Sequence, residues 1–245
     1  MDHLILHEDN HLLVALKPPR MLTQGDSTGD SDLLSLLKEY IRVKYEKPGE
    51  AYLGLVHRMD RPVGGLLVFA KTSKAAARLS DQIRENTLKR EYVAVCEGKT
   101  PPTFQLTDYL VKDETTNTVR VLPSYLKRRG KEAILFGQTV AGDEASSLVA
   151  IRLQTGRAHQ IRAQMAHFGH PLLGDARYNP EGKKGLIALW GMRLSLNHPI
   201  TGKAMVFVCP PGKMPGDRPH SLFFDDYRRD LDALERLWPD IAPNQ

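Results

Sequence analysis

Cysteine is scarce: Cys96 and Cys209 are the only two in 245 residues. That excludes a disulfide framework, a four-cysteine zinc site and an iron–sulfur cluster. Long apolar runs are missing too. The longest mostly apolar stretch, Val63 to Ala70, falls far short of the roughly 20 residues that span a bilayer. The opening Met1-Asp2-His3-Leu4 lacks the basic start and apolar run of a secretory signal. There is no repeat, no low-complexity tract and no long linker. A soluble cytoplasmic protein without a membrane partner is the expectation.

What is present is an ordinary globular composition, 41% hydrophobic and 26% charged, long enough for one large core. The net charge of +5 is unevenly spread. From Asp217 to Gln245, four Arg face seven Asp and Glu, a net of −3 that leaves +8 on the preceding 216 residues. A basic body of this kind suits a polyanionic partner.

Short apolar pieces punctuated by Pro and Gly predict strands at Leu4 to Leu6, Leu12 to Leu16, Leu53 to Val56, Leu66 to Phe69 and Tyr92 to Cys96. Further strands are predicted at Arg120 to Leu122, Ala133 to Val140, Ser147 to Leu153, Leu186 to Trp190 and Ala204 to Val208. Helical spacing is found in Leu33, Leu37, Tyr40 and Lys44 behind a cap at Asp30 or Ser31. It returns in Ala75, Leu79 and Ile83 behind Thr72 or Ser73, in Ile161, Met165 and Phe168, and from Asp225 to Trp238. Strands outnumber helices without regular alternation, which predicts an α+β fold with a largely antiparallel sheet.

Two polar clusters sit inside apolar surroundings. The first is His57-Arg58-Met59-Asp60-Arg61-Pro62-Val63-Gly64-Gly65. The two flanking arginines favour the ionised form of Asp60, and the glycine pair permits a tight backbone path. A turn-capping aspartate paired with a neighbouring arginine would look the same. The second runs from Gln154 to His167, a strand-to-helix turn rich in Arg, His and Gln, suited to phosphate contacts or simply to a solvated face. His159, His167 and His170 are spaced onto different helix faces, and Pro171 ends the helix nearby, so no metal site is expected.

Together these segments resemble the RluA-type RNA pseudouridine synthases. His57-Arg58-Met59-Asp60 with Gly64-Gly65 is similar to their HRLD-x-x-T-S-G signature. In the same order come Ile5 to Val14 with Lys17-Pro18, Lys89-Arg90-Glu91-Tyr92-Val93-Ala94 with Gly98, Thr155-Gly156-Arg157 through Arg162, and His170-Pro171-Leu172-Leu173-Gly174-Asp175 with Tyr178. The resemblance spans about residues 4 to 210. Met59 stands for the usual Leu, a volume-conserving change, and Val63-Gly64 for Thr-Ser, which removes two hydroxyls from the loop. Since the match begins almost at Met1, no preceding S4-like RNA-binding domain is expected.

The resemblance implies a single pseudouridine-synthase-like domain over 1–216, its mixed sheet flanked by helices around a catalytic cleft, with an acidic helical tail at 217–245 packed on it. It implies an isomerase acting on ribosomal or transfer RNA without cofactor or metal, and a monomer is expected. Asp60 is the implied catalytic carboxylate, Arg162 its ion-pair partner and Tyr92 the ring against the target base. His57, Arg58, Arg61, Arg157, His159, Gln160 and the Lys127-Arg128-Arg129 run are the expected RNA contacts, with Arg58 entering the space a flipped uridine vacates and His57 also supporting the loop. A glycoside hydrolase would need a second carboxylate across the bond, and none occupies a comparable loop. A non-catalytic RNA-binding paralogue has no evident reason to keep Asp60, Tyr92 and Arg162.

Overall fold

The computed structural model describes residues 4–213, 220–239 and 241. The chain divides into two compact units, Met1–Arg90 with Gly191–His220 and Glu91–Trp190 with Ser221–Gln245.

In the first unit the chain enters as a hairpin, β1 (Ile5–Glu8) and β2 (Leu12–Lys17). Asp9 closes it by accepting from the backbone N–H groups of His11 and Leu12 at 2.7 and 2.9 Å. Every residue of β2 is buried, as is every residue of β4 (Gly64–Ala70). Such continuous apolar runs are what a strand buried on both faces requires. The two pair antiparallel from Leu12 opposite Ala70 to Lys17 opposite Gly65. The short β3 (Gly54–Leu55) also pairs β4. At the close of the unit, β10 (Leu189–Asn197) pairs with β11 (Ala204–Val208).

Two helices serve this unit. In α1 (Leu33–Lys44) Leu33, Leu37 and Ile41 are buried, and Asp32 caps it by accepting from Ser35 N. The cap therefore falls one or two residues later than Asp30 or Ser31. In α2 (Ser73–Arg84) Ala75 and Leu79 are buried, and the Thr72 hydroxyl caps it from Ala75 N, as its sequence predicts.

The second unit is a run of antiparallel neighbours in the order β5-β9-β8-β6-β7. These are β5 (Lys89–Glu97), β6 (Thr103–Asp113), β7 (Thr118–Val121), β8 (Lys131–Gly142) and β9 (Ser146–Leu153). The core strands are β5 and β9, joined from Glu91 opposite Arg152 to Glu97 opposite Ser146. After β9 comes α3 (Gln160–His167), of which residues 160–165 are all buried.

The acidic tail forms a 3-10 turn, Leu222–Tyr227, followed by α4 (Arg228–Arg236). The α-helix starts three residues later than the apolar spacing from Asp225 suggests. Leu231 and Leu234 are buried, while Trp238 and Ile241 pack against Phe136 and Ala150. Arg152 Nη1 donates to the Ile241 carbonyl and the Tyr227 and Ser146 hydroxyls meet at 2.7 Å. The boundary expected at residues 216 and 217 lies outside the described residues. Among the described residues no helix is long and apolar enough to cross a membrane.

Candidate active site

The loop carrying Asp60 hangs between β3 and β4 and is braced at several points. His57, 8% exposed, accepts the backbone N–H of Val68 on Nε2 at 3.1 Å. Burial, with Arg90 adding positive charge, pushes its pKa down to about 3, so the imidazole is neutral and holds the loop to β4. Thr23 grips the next turn from outside the loop. Its hydroxyl donates to the Met59 carbonyl at 2.9 Å and accepts from Met59 N at 3.2 Å. Val63 N then closes a turn onto the Asp60 carbonyl at 3.0 Å.

Beneath the loop lies Lys17, with no solvent exposure at all. Its ammonium donates to three carbonyls, Pro18 at 3.1 Å, Met21 at 2.7 Å and Arg61 at 3.1 Å. Burial lowers its pKa to about 7, against the pull of the Asp60 charge and with the push of Arg61. The fixed ammonium ties the Asp60 loop to the turn that precedes it. The backbone itself is fixed by Gly65. At φ +133 it lies directly on the backbone of Gly191, where any Cβ would strike the Gly191 N, O and Cα.

Three arginines surround this loop at the surface. Arg58 is exposed, and among the described residues its guanidinium has no hydrogen bond or ion pair. Arg61 donates from Nε to the Arg20 carbonyl at 3.1 Å and pairs with Asp30 at 2.7 Å. Arg20 is the third.

The remaining expected site residues belong to the second unit. Tyr92 is in β5 opposite Ile151 and 7% exposed. Beside it in sequence, Glu91 is buried and takes Arg152 Nε and Nη2 at 2.9 and 2.8 Å. Arg162 stands on the first turn of α3, 5% exposed. Its Nε and Nη2 grip both oxygens of Asp175 at 2.8 and 2.7 Å, the bidentate geometry that a planar guanidinium favours. Asp175, fully enclosed, also accepts from Arg177 N at 3.1 Å and Tyr178 N at 3.3 Å. The Tyr178 ring lies 5.1 Å from the Arg162 guanidinium carbon. Its oxygen accepts from Val119 N at 2.8 Å and meets His159 Nδ1 at 2.9 Å.

The turn into α3 is self-braced. Gln160 is buried, its amide oxygen accepting from the Thr155 hydroxyl and Arg157 N, both at 2.9 Å, while its Nε2 donates to the Ile134 carbonyl at 3.1 Å. His159 takes a left-handed φ of 50 just before the helix. Arg157 is exposed and donates from Nε to the Glu132 carbonyl at 2.8 Å. Lys127, Arg128 and Arg129 are all exposed in the 3-10 turn Ser124–Arg129. His170 Nδ1 contacts the Glu97 carbonyl at 2.9 Å. Among the described residues no three His, Cys, Asp or Glu side chains gather as a metal-binding set.

Two groups central to this geometry have no role in the sequence reading, Lys17 and Asp175. For Lys17 a signal existed, a lysine following a five-residue apolar run just before Pro18-Pro19. Asp175 stands in the His170-to-Asp175 motif, but its ion pair has no local signal because its partner lies 13 residues away.

Comparison with known proteins places this geometry in context. A family model described as RNA pseudouridylate synthase matches residues 11–167. The chain is 36% identical over 212 residues to the Uncharacterized RNA pseudouridine synthase YhcT of Bacillus subtilis, covering 84% of this chain and 68% of that protein. It is 32% identical over 219 residues to Ribosomal large subunit pseudouridine synthase C of Buchnera aphidicola, with 84% and 66% covered. To Ribosomal large subunit pseudouridine synthase D of Zymomonas mobilis it is 33% identical over 225 residues, with 87% and 69% covered. The chain thus spans about two thirds of the length of these relatives. Among solved structures, Human RNA Pseudouridylate Synthase Domain Containing 4 matches with a TM-score of 0.71 at 21% identity, covering 93% of this chain and 92% of that one. Human RNA Pseudouridylate Synthase Domain Containing 1 matches at 0.66 and 20%, covering 98% and 96%. These two share its fold, an α+β architecture with a mostly antiparallel sheet and flanking helices, as expected.

Proposed function

Because the chain belongs to the RNA pseudouridylate synthase family, a family of RNA-modifying isomerases, we propose that it converts uridines of ribosomal RNA to pseudouridine with Asp60 as the catalytic carboxylate. The observation that carries this is the bracing of the Asp60 loop, by His57, Thr23 and Lys17 at once, inside the segment matching the family. A carboxylate carried on a loop braced this firmly is suited to act at a ribose carbon. Relatives named as large-subunit ribosomal enzymes support ribosomal over transfer RNA.

The reaction breaks the N1–C1′ bond, turns the uracil and joins C5 to C1′. A proton leaves C5 and one is gained at N1, so atoms balance without oxidant, metal or phosphoryl donor. In this reading Asp60 acts at the ribose, either by adding to it or by removing a proton on the way to a glycal. Arg162, its guanidinium plane set by Asp175, supplies the counter-charge, and Tyr92 receives the uracil ring. The uridine must leave its stack, and Arg58, exposed and without an ion pair among the described residues, fills its place. Arg61, Arg157, His159 and the Lys127-Arg128-Arg129 turn meet the backbone. His57 and Gln160, both buried, act by bracing the loop and the turn.

The test is Asp60→Asn assayed for pseudouridine in protein-free ribosomal RNA. Loss of product with RNA affinity largely kept is expected. Turnover at the wild-type rate would remove Asp60 from its role, and product confined to transfer RNA would overturn the ribosomal assignment. Mapping pseudouridines in total RNA from cells with and without the protein identifies the site.

A further inference from the structure

Pro18-Pro19-Arg20-Met21 forms a tight turn in which Met21 N reaches the Pro18 carbonyl at 3.4 Å. Arg20, its third residue, has φ 69. That is the third position of a type II turn, where glycine is at ease and a β-carbon is crowded. Proline before it is ideal for the same turn. An arginine here is thus unfavourable for local structure, and residues held in such conformations concentrate at working sites.

The surroundings make the turn rigid rather than accommodating. Lys17 Nζ holds the carbonyls of both Pro18 and Met21, and with its third proton holds that of Arg61. The Arg20 carbonyl in turn accepts from Arg61 Nε. The turn and the Asp60 loop are therefore one braced piece, joined from both directions. The Arg20 side chain takes no part in that bracing. It is exposed, and among the described residues its guanidinium has no hydrogen bond or ion pair. By contrast, the charge of neighbouring Arg61 is met by Asp30.

We infer that Arg20 is an RNA-phosphate contact, a guanidinium without a partner among the described residues, presented beside the Asp60 loop by a left-handed turn. This rests on the RNA substrate proposed above. A guanidinium suits a phosphate through two parallel N–H donors. A strained, rigid backbone fixes where that charge is offered, so the phosphate on which it closes sets the register of the strand at Asp60.

Arg20→Gly separates this role from a structural one, because glycine fits the turn better than arginine does. Binding of protein-free ribosomal RNA is measured against salt in the non-reacting Asp60→Asn background, and unfolding by urea. The expected result is a urea midpoint at or above the parent's, affinity about tenfold weaker at low salt, and a salt slope shallower by about 0.7–0.9. Arg20→Lys keeps most of the slope. Wild-type affinity and slope in Arg20→Gly would overturn the inference. So would a lower midpoint with an unchanged slope, which would make Arg20 a structural residue. If the parent protein neither binds nor modifies the RNA, the proposed substrate fails as well, a result distinguishable from failure of Arg20 alone.

Discussion

Replacing Asp175 by Asn removes a charge while nearly preserving shape, and it strikes an ion pair enclosed on both sides. The side chains of Arg162 and Asp175 are 6% and 0% exposed, and two charge-assisted bonds of 2.8 and 2.7 Å join them. Removing one partner of such a pair destabilises by about 3–5 kcal/mol, because desolvation of the remaining charge is then less well offset. For a chain of this size each kcal/mol shifts the melting temperature by about 2–4 °C, giving a drop of about 6–20 °C. Urea unfolding of Asp175→Asn, Arg162→Met and the double variant measures the coupling. The double should lose much less than the sum of the singles. Strict additivity, or an Asp175→Asn variant within about 1 kcal/mol of wild type, would refute the reasoning.

Gly65→Ala drives a β-carbon into the Gly191 backbone at a φ of +133; destabilisation above about 3 kcal/mol is expected, read as loss of soluble protein or of the urea midpoint. His57 titrates near 3 when folded against 6.5 when free, by burial and the Arg90 charge. Between those values the unfolded chain binds a proton the folded chain refuses, so stability falls as pH drops from 6.5 toward 3. His57→Gln should flatten that acid limb in urea titrations. Tyr178→Phe deprives buried Val119 N of its hydroxyl acceptor and removes one contact of His159, a loss of about 1–3 kcal/mol in urea unfolding.

The parts of this fold that were legible beforehand are those in which burial is periodic or continuous. β2 and β4 are apolar throughout or nearly so, β9 is continuously buried from Ser147 to Ile151, and Thr72 caps α2 at the position its hydroxyl predicts. β6 was not foreseen. In TFQLTDYLVKD only Phe104 and Leu110 are buried, so its pairing with β8 supplies backbone bonds that leave little apolar signal. The strand expected at Leu186 to Trp190 begins instead at Leu189 and runs on to Asn197, where Leu194 and Leu196 alternate with Ser195 and Asn197. In the candidate site, the ordered motifs single out Asp60, Tyr92 and Arg162 as expectations. The same motifs contain Lys17 and Asp175 without assigning them a role, and Arg20 lies outside them, since what distinguishes the three is a carbonyl cage, a distant ion partner and a backbone dihedral.

The carbonyl cage around Lys17 has a practical consequence. A lysine amine acylates only when a reagent reaches it. In the closed molecule none can, because Nζ is enclosed and all three of its donors are engaged. Its labelling rate in a mass-spectrometric time course therefore reports how often the ground beneath Asp60 opens. Bound RNA that clamps the loop would slow that clock without touching the lysine.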